Sequence, residues 1–385
     1  MANDNIRAID QAVYIAPQSA KDDITTPTFD LVWRSSGAPV EAISYTNSSM
    51  IDPSGQAPDS VKTTTERSME LEQDYAGYSF VTFKKAIHGE EVITNVTGTD
   101  IEFTATGINS GTTNAFADLI VGDFFWVTGS ASNDGLHIIK TKTDANNIET
   151  MTAPTVEAAG ATVVIYSRKI TSNVNRYYDI LQERLPYDSG VGGIGYQTYY
   201  NGLINSASLT IPPADLVTTS ASWLIGATTG VKTAVTGQTD SITARTDSYS
   251  SDNVSGFWVN DESVLCEVRN VELSIDNQYE TSDAAGCSGR EFGKGTISAS
   301  LSASAYTNSV DPYKWKDYAS NSTDVSFAFA LKSNDGTIEE VYKLPRCKVN
   351  NVTTAPEAQL LNTSFELNAQ GSKAESTTVT IYRNQ

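Results

Sequence analysis

Residues 201–226 read NGLINSASLTIPPADLVTTSASWLIG, and their pattern decides the fold class. Leu203, Ala207, Leu209 and Ile211 fall on one side of an extended chain, and Ser206, Ser208 and Thr210 on the other. After Pro212-Pro213 the alternation resumes, with Val217, Ala221, Trp223 and Ile225 set against Leu216, Thr218, Ser220, Ser222 and Leu224. A period of two, rich in β-branched and aromatic residues, predicts two strands. A Pro-Pro pair cannot lie inside a central strand, so it predicts the bend between them. The face opposite the core side is nearly all Ser and Thr. These compact hydrogen bonders suit either packing on another sheet or lining a wet passage.

Working outward, the rest of the chain has the same character. Its 385 residues are enough for two or three compact units. Hydrophobic residues make up 39% and charged residues only 19%, so Gly, Ser, Thr and Asn carry the polar surface, as in an all-β protein with many turns. Acidic residues outnumber basic ones 46 to 26, a formal net charge of −20, which gives binding to phosphates the wrong electrostatic sign. The start, MANDNIRAIDQAVYIAPQSA, lacks a basic segment followed by an apolar core, so no secretory signal is expected. No run approaches the roughly 18 apolar residues of a membrane span. Cys266, Cys287 and Cys347 are an odd set without CxxC spacing and are expected to be reduced thiols.

Taken in order, residues 1 to about 28 show no periodicity and read as an arm. Phe29, Leu31 and Trp33 mark a strand, and NSSMIDPSGQAPDS (47–60) is turn-forming throughout. A strand is predicted over 63–75, and Phe80, Phe83 and Ile87 at i, i+3, i+7 predict a short amphipathic helix over 76–87. Between Glu90 and Arg168, five or so short apolar strands are separated by turn signals such as Asn133-Asp-Gly. They predict a small β-barrel or β-sandwich of their own. Residues 228–255 are Thr/Ser/Asp-rich and read as a long surface loop. NSASLTI (205–211) is echoed loosely by NVELSI (270–275), and TISASLSASAY (296–306) repeats the small-residue alternation. A second short helix is expected at 311–319, and closing strands at 325–331, 339–349, 361–368 and 377–382, with Asn334-Asp-Gly as a hairpin turn.

The strand, bend and Ser/Thr-rich strand of 201–226 resemble the central motif of the major tail tube proteins of long-tailed (siphovirus-type) bacteriophages. The strand, long loop, strand and helix of 29–87 and the Leu344-Pro-Arg and Ser364-Phe-Glu-Leu strands resemble the same family in the same order. VGDFFWVTGS (121–130) with LHIIK (136–140) resembles small β modules inserted in phage structural proteins. The resemblance implies an all-β fold with one or two short helices, built on two packed antiparallel sheets. Residues 1–89 and 169–385 would form the tube core, with an inserted β domain at 90–168 on the outer surface. It implies a structural virion protein made in the host cytoplasm, with no cofactor. Its partners would be copies of itself in stacked hexameric rings, other tail proteins such as the tape measure and terminator, and DNA in transit without specific binding. The loop contacting a neighbouring ring would be Ser48, Ser49, Met50, Ile51, Asp52, Pro53, Gly55 and Pro58. Acidic residues near the Ser-rich strands, Glu267, Glu272 and Asp276, are the candidates for a negative lumen wall.

Catalytic patterns are weak beside this. Gly190-Val-Gly-Gly-Ile-Gly195 matches a dinucleotide fingerprint by letter, but Tyr187-Asp-Ser precedes it and Tyr196-Gln-Thr-Tyr-Tyr, a poor helix, follows it. Gly289-Arg-Glu-Phe-Gly-Lys-Gly-Thr has too few residues between its glycines for a phosphate-binding loop. His88 and His137 are far apart and are expected to be structural, and Asp22-Asp23 and Glu339-Glu340 are expected to be solvated. The alternative reading is a glycan-binding or adhesive β-sandwich, which needs clustered exposed aromatics. A glycosidase with two carboxylates remote in sequence is a third reading.

Overall fold

The computed structural model describes residues 11–47, 60–112, 114–172, 176–187, 193–231, 234–241, 247–264, 268–282, 291–293, 295–307, 313–357, 360–372 and 377–385. Within them the chain is strands throughout, with α-helices only at Phe80–Ala86 and Lys314–Ser320. The alternation of 201–226 is realised in strands longer than the motif itself, Gly193–Ile211 and Thr218–Val231, paired antiparallel through Ala207↔Ala221 and Ser208↔Ser220.

These two strands lie inside an antiparallel sheet of eight. Its order is Pro39–Asn47, Ser60–Asp74, Thr218–Val231, Gly193–Ile211, Val268–Asp276, Ser298–Tyr306, Leu360–Ala369 and the second half of Glu339–Glu357. The echoed segments are therefore direct neighbours, with Leu209 opposite Leu273 and Ala207 opposite Ile275. Two strands change partners part-way. Gly193–Ile211 pairs with Tyr178–Tyr187 along its first half and with Val268–Asp276 along its second, across an irregularity between Ile204 and Ser206. Glu339–Glu357 begins in a second sheet and finishes in the first. Such irregularities bend and twist a strand, and here they let one strand serve two layers.

The second sheet runs Val254–Val259, Asp324–Lys332, the first half of Glu339–Glu357, Thr380–Arg383, Val163–Thr171 and Glu90–Gly98. Between the two sheets lies the main core. A row of Leu209, Leu273, Leu301 and Leu367 from the first faces Phe327, Phe329, Tyr342 and Leu344 from the second, all fully buried. Period two is enough to place these side chains inward. Each large aliphatic side chain so buried contributes on the order of 1.5–3 kcal/mol. The helix Phe80–Ala86 buries Phe80, Phe83 and Ala86 in the same core, as the 3.6 spacing predicts. Its Lys85 pairs with the buried Asp179, whose other oxygen accepts Trp223 Nε1–H at 3.0 Å.

A second apolar core belongs to residues 96–165. Val96, Ile101, Phe103, Ile108, Phe116, Leu119, Phe125, Val127, Ile139, Ile148, Val163 and Ile165 pack together. They come from a run of paired strands, 101–103, 107–110, 147–150, 135–142, 124–128, 163–171 and 90–98. The strand Phe124–Thr128 alternates between two cores: Phe125 and Val127 face this one, and Phe124 and Trp126 pack on Ala328, Ala330, Val341 and Tyr382 of the second sheet. This fastening is polar as well, with Trp126 Nε1–H donating to Glu339 at 2.7 Å and Lys169 Nζ to Asp123 at 2.7 Å.

Several segments differ from expectation. Residues 12–18, read as part of an arm, form a strand paired with 178–187, because its register brings Val13 and Ala16 into buried positions. Pro39–Asn47 is a full strand opposite Ser60–Asp74. The stretch 228–255 is strand to Val231, and a short strand at 239–241 then lies parallel to Thr28–Leu31.

Candidate functional site

The main sheet buries one face and leaves the other open, and the open face is the candidate site. Its residues fall in straight cross-strand rows. One row reads Glu72, Ser220, Ser208, Ser274, Ser300 and Asn368. A second reads Asp74, Thr218, Thr210, Glu272, Ser302 and Glu366, and a third Glu70, Ser222, Ser206, Asp276 and Ser298. The Ser and Thr pattern predicted from 201–226 thus belongs to polar rows that cross six neighbouring strands. These positions range from half-buried to exposed among the described residues.

Much of the hydroxyl capacity is used within the sheet. Ser206 and Ser222 hydroxyls bond at 2.7 Å and Ser208 and Ser220 at 2.8 Å. Directly opposite residues in an antiparallel pair are close enough for such bonds. A hydroxyl bound to its neighbour has less hydrogen-bonding capacity left to offer outward, so the face is polar without being strongly adhesive.

Charge on this face is one-sided. Glu70, Glu72, Asp74, Glu272, Asp276 and Glu366 stand on it, while Lys348 at its margin is held by Asp324 at 2.6 Å. Of the three acids expected at a lumen wall, Glu272 and Asp276 lie here in one strand, Glu272 exposed and Asp276 half-buried. Glu267 lies outside the described residues, as do Ser48, Ser49, Met50, Ile51, Asp52, Pro53, Gly55 and Pro58. Sequence reading did not single out Glu70, Glu72, Asp74 or Glu366. The period-two run Glu70, Glu72, Asp74 was a signal for them, since it is the polar side of the strand that carries Met69 and Leu71.

Glu339-Glu340, expected to be solvated, is buried. The second sheet brings Glu340 under Tyr75, whose hydroxyl donates to it, and beside Tyr342 and Tyr249. Arg383 Nη1 lies 3.3 Å from its other oxygen. Burial pushes the carboxyl up to about 7 although Arg383 and the Tyr75 hydroxyl pull it down. Since the folded value exceeds the ordinary 4.5, the cost to folding is absent below about pH 4.5, grows between 4.5 and 7, and is complete above 7. Its upper bound is on the order of 3 kcal/mol. Stability is therefore expected to fall between about pH 4.5 and 7, and Glu340→Gln should flatten that fall. Urea midpoints measured across this range check it; an unchanged slope in the variant rejects the assignment.

The remaining polar candidates are structural. His88 is buried and its Nε2 meets the Tyr279 hydroxyl at 2.8 Å. His137 stacks on Phe125 and bonds the Asn133 carbonyl, and burial lowers its pKa. Cys347 is buried and its thiol is pushed up to about 12 by burial. Residues 188–192 of the glycine run and 283–290 with Gly289 lie outside the described residues, as do Cys266 and Cys287. Among the described residues no group of three or more His, Cys, Asp or Glu side chains is placed to hold a metal ion, and no helix is long and apolar enough to cross a membrane. The exposed aromatics among those residues, Tyr45 and Tyr313, lie on different elements and form no cluster of the kind a glycan-binding surface needs.

Compared with known proteins, residues 9–381 match the family described as phage tail tube protein. No curated protein matches the chain.

Proposed function

Because the chain belongs to the phage tail tube protein family over nearly its whole length, and is thereby a structural subunit of the tail tube, we propose that six copies close into a ring. The rings stack, and the polar face of the main sheet lines the lumen through which the genome leaves. The observation that carries this reading is that face: rows of Ser, Thr and carboxylate side chains backed by the largely apolar main core. Six copies bring 6 × −20 = −120 formal charges to a ring. Lumen carboxylates repel duplex DNA over a Debye length of about 8 Å at physiological salt. Residues 90–168 are on this reading an addition to the outer wall of a core made by 1–89 and 169–385. Other tail proteins meet the tube at its ends and interior.

The sheet edges support ring closure. Pro39–Asn47 bounds the main sheet on one side, and its Ala42, Ile43, Ser44 and Tyr45 are all exposed. Val349–Glu357 bounds it on the other. Long, apolar, unpaired edges invite pairing with another chain, and closure removes them. The segment 48–59 leaves the hairpin where Asn47 pairs with Ser60, which suits a contact with the next ring.

Negative-stain microscopy of the purified protein tests the reading, with stacked rings as the expected result. Protein that stays monomeric at every concentration, salt and pH would overturn it. Two variants separate the contacts. Ile43→Lys with Tyr45→Lys should leave a folded monomer that forms no rings. Deleting 48–58 should leave folded protein that no longer stacks into tubes. Normal tubes from either variant reject the contact assigned to it.

A further inference from the structure

The strand Thr380–Arg383 is four residues long, yet it joins two halves of the second sheet. It pairs with Arg168–Thr171 on one side and Glu340–Lys343 on the other. So short a ladder has few backbone bonds to hold it, and what lies across it matters.

The turn Ile120–Asp123 lies across it. Asp123 is fully buried, and its Oδ1 accepts both Lys169 Nζ at 2.7 Å and the Tyr382 hydroxyl at 2.8 Å. Its Oδ2 accepts the Ile120 N–H at 2.9 Å, which fixes the turn. One residue earlier, the Gly122 carbonyl accepts Lys343 Nζ at 2.5 Å. Gly122 has φ +85°, which favours glycine, and a Cβ there would sit 2.6 Å from Lys343 Nζ and push it off the carbonyl. The turn thus holds three adjacent strands, one side chain from each: Lys169 of 163–171, Tyr382 of 380–383 and Lys343 of 339–357. Phe124, next in sequence, packs its ring on Tyr382 with centroids 5.4 Å apart.

We propose that the turn Ile120–Asp123 is a staple over the second sheet that fixes the strand Glu339–Glu357, and through it the free edge Val349–Glu357 that the neighbouring copy meets. The link is covalent continuity: one strand is stapled at Lys343 and presents its far half as the main sheet's edge. Residues 90–168 therefore set the shape of the assembling subunit. The assembly half of this inference rests on the ring reading above; the staple itself does not.

Hydrogen exchange on the full-length protein, wild type against Asp123→Asn, tests it. Asn keeps the shape of the side chain but removes the charge beside Lys169. Amides of 163–171, 339–348 and 380–383 are expected to exchange about tenfold faster, with 206–211 and 268–276 unchanged. Ring formation should fall in step. Unchanged exchange in the three strands, or an equal rise through 268–276, overturns the staple. Faster local exchange with wild-type ring formation overturns the coupling to assembly. If wild type forms no rings, the ring reading fails while the exchange pattern still decides the staple. Should Asp123→Asn be insoluble, Tyr382→Phe, which removes one hydroxyl, is measured in its place and should raise exchange in 380–383 several-fold; no rise overturns the staple.

Discussion

With Glu70, Glu272 and Asp276 replaced together by lysine, tubes are expected to assemble but to hold DNA instead of passing it. All three stand on the open face of the main sheet, on strands that pair with the Ser-rich pair, and Glu70 and Glu272 are exposed. None of the three packs in either core, so folding should be preserved. In the proposed sixfold ring each substitution would recur six times, and stacking would repeat it along the tube. Cations facing phosphates release counterions, and the attraction accumulates with every contact. A protein making six to ten phosphate contacts gains about 10³–10⁵ in affinity between 200 and 50 mM salt. Ejection from virions carrying the triple change should therefore stall at low salt and recover as salt rises. Intact variant tubes that eject normally at low salt would show that this face does not line the channel.

Removing residues 90–168 by joining Gly89 to Lys169 is expected to abolish soluble protein. Read from sequence, the turn-bounded strands of this stretch suggest a module that folds alone, so that its loss would merely give thinner tubes. The interface changes the expected result. Deletion uncovers Ala328, Ala330, Val341 and Tyr382, from which Phe124, Trp126 and Ile138 exclude water. It also takes Asp123 from Lys169, the Gly122 carbonyl from Lys343 and the Trp126 N–H from Glu339. Losing one large aromatic from a core costs about 3–5 kcal/mol, and breaking a buried ion pair about as much again. Against a total stability of about 5–15 kcal/mol, the combined loss is enough to unfold the subunit. Expression, solubility and a thermal melt of the shortened chain check this. A soluble, cooperatively melting product would show that the second sheet stands without its cover. Val156→Asp, at a position two-thirds exposed (66%) and outside both cores, is the control that should change nothing.

What the sequence by itself determined was the local pattern and its consequence. Period two in 201–226, 270–275 and 296–306 requires strands with one apolar and one Ser/Thr face, because successive side chains in an extended chain point to opposite sides. The 3.6 spacing of Phe80, Phe83 and Ile87 likewise requires a helix with one buried stripe. These signals need only a few neighbouring residues to read, and they were enough for the all-β class, the helix and the polar face. Tertiary structure alone decided what lies across from each face. Glu340 and Glu339 read as solvated because nothing nearby in sequence could cover them; Tyr75 and Trp126, 265 and 213 residues away, do so. Residues 12–18 have no clean period because both faces are packed, Val13 and Ile15 on the main core and Tyr14 and Ala16 on the cluster with Phe29 and Ile180. Their identity as a strand therefore comes from pairing with Tyr178–Tyr187. The fastening of 90–168 rests on Asp123 meeting Tyr382 across 259 residues, a contact that no local period encodes. Short-range geometry sets which way a side chain points, and only the closing of distant strands around it sets what it meets.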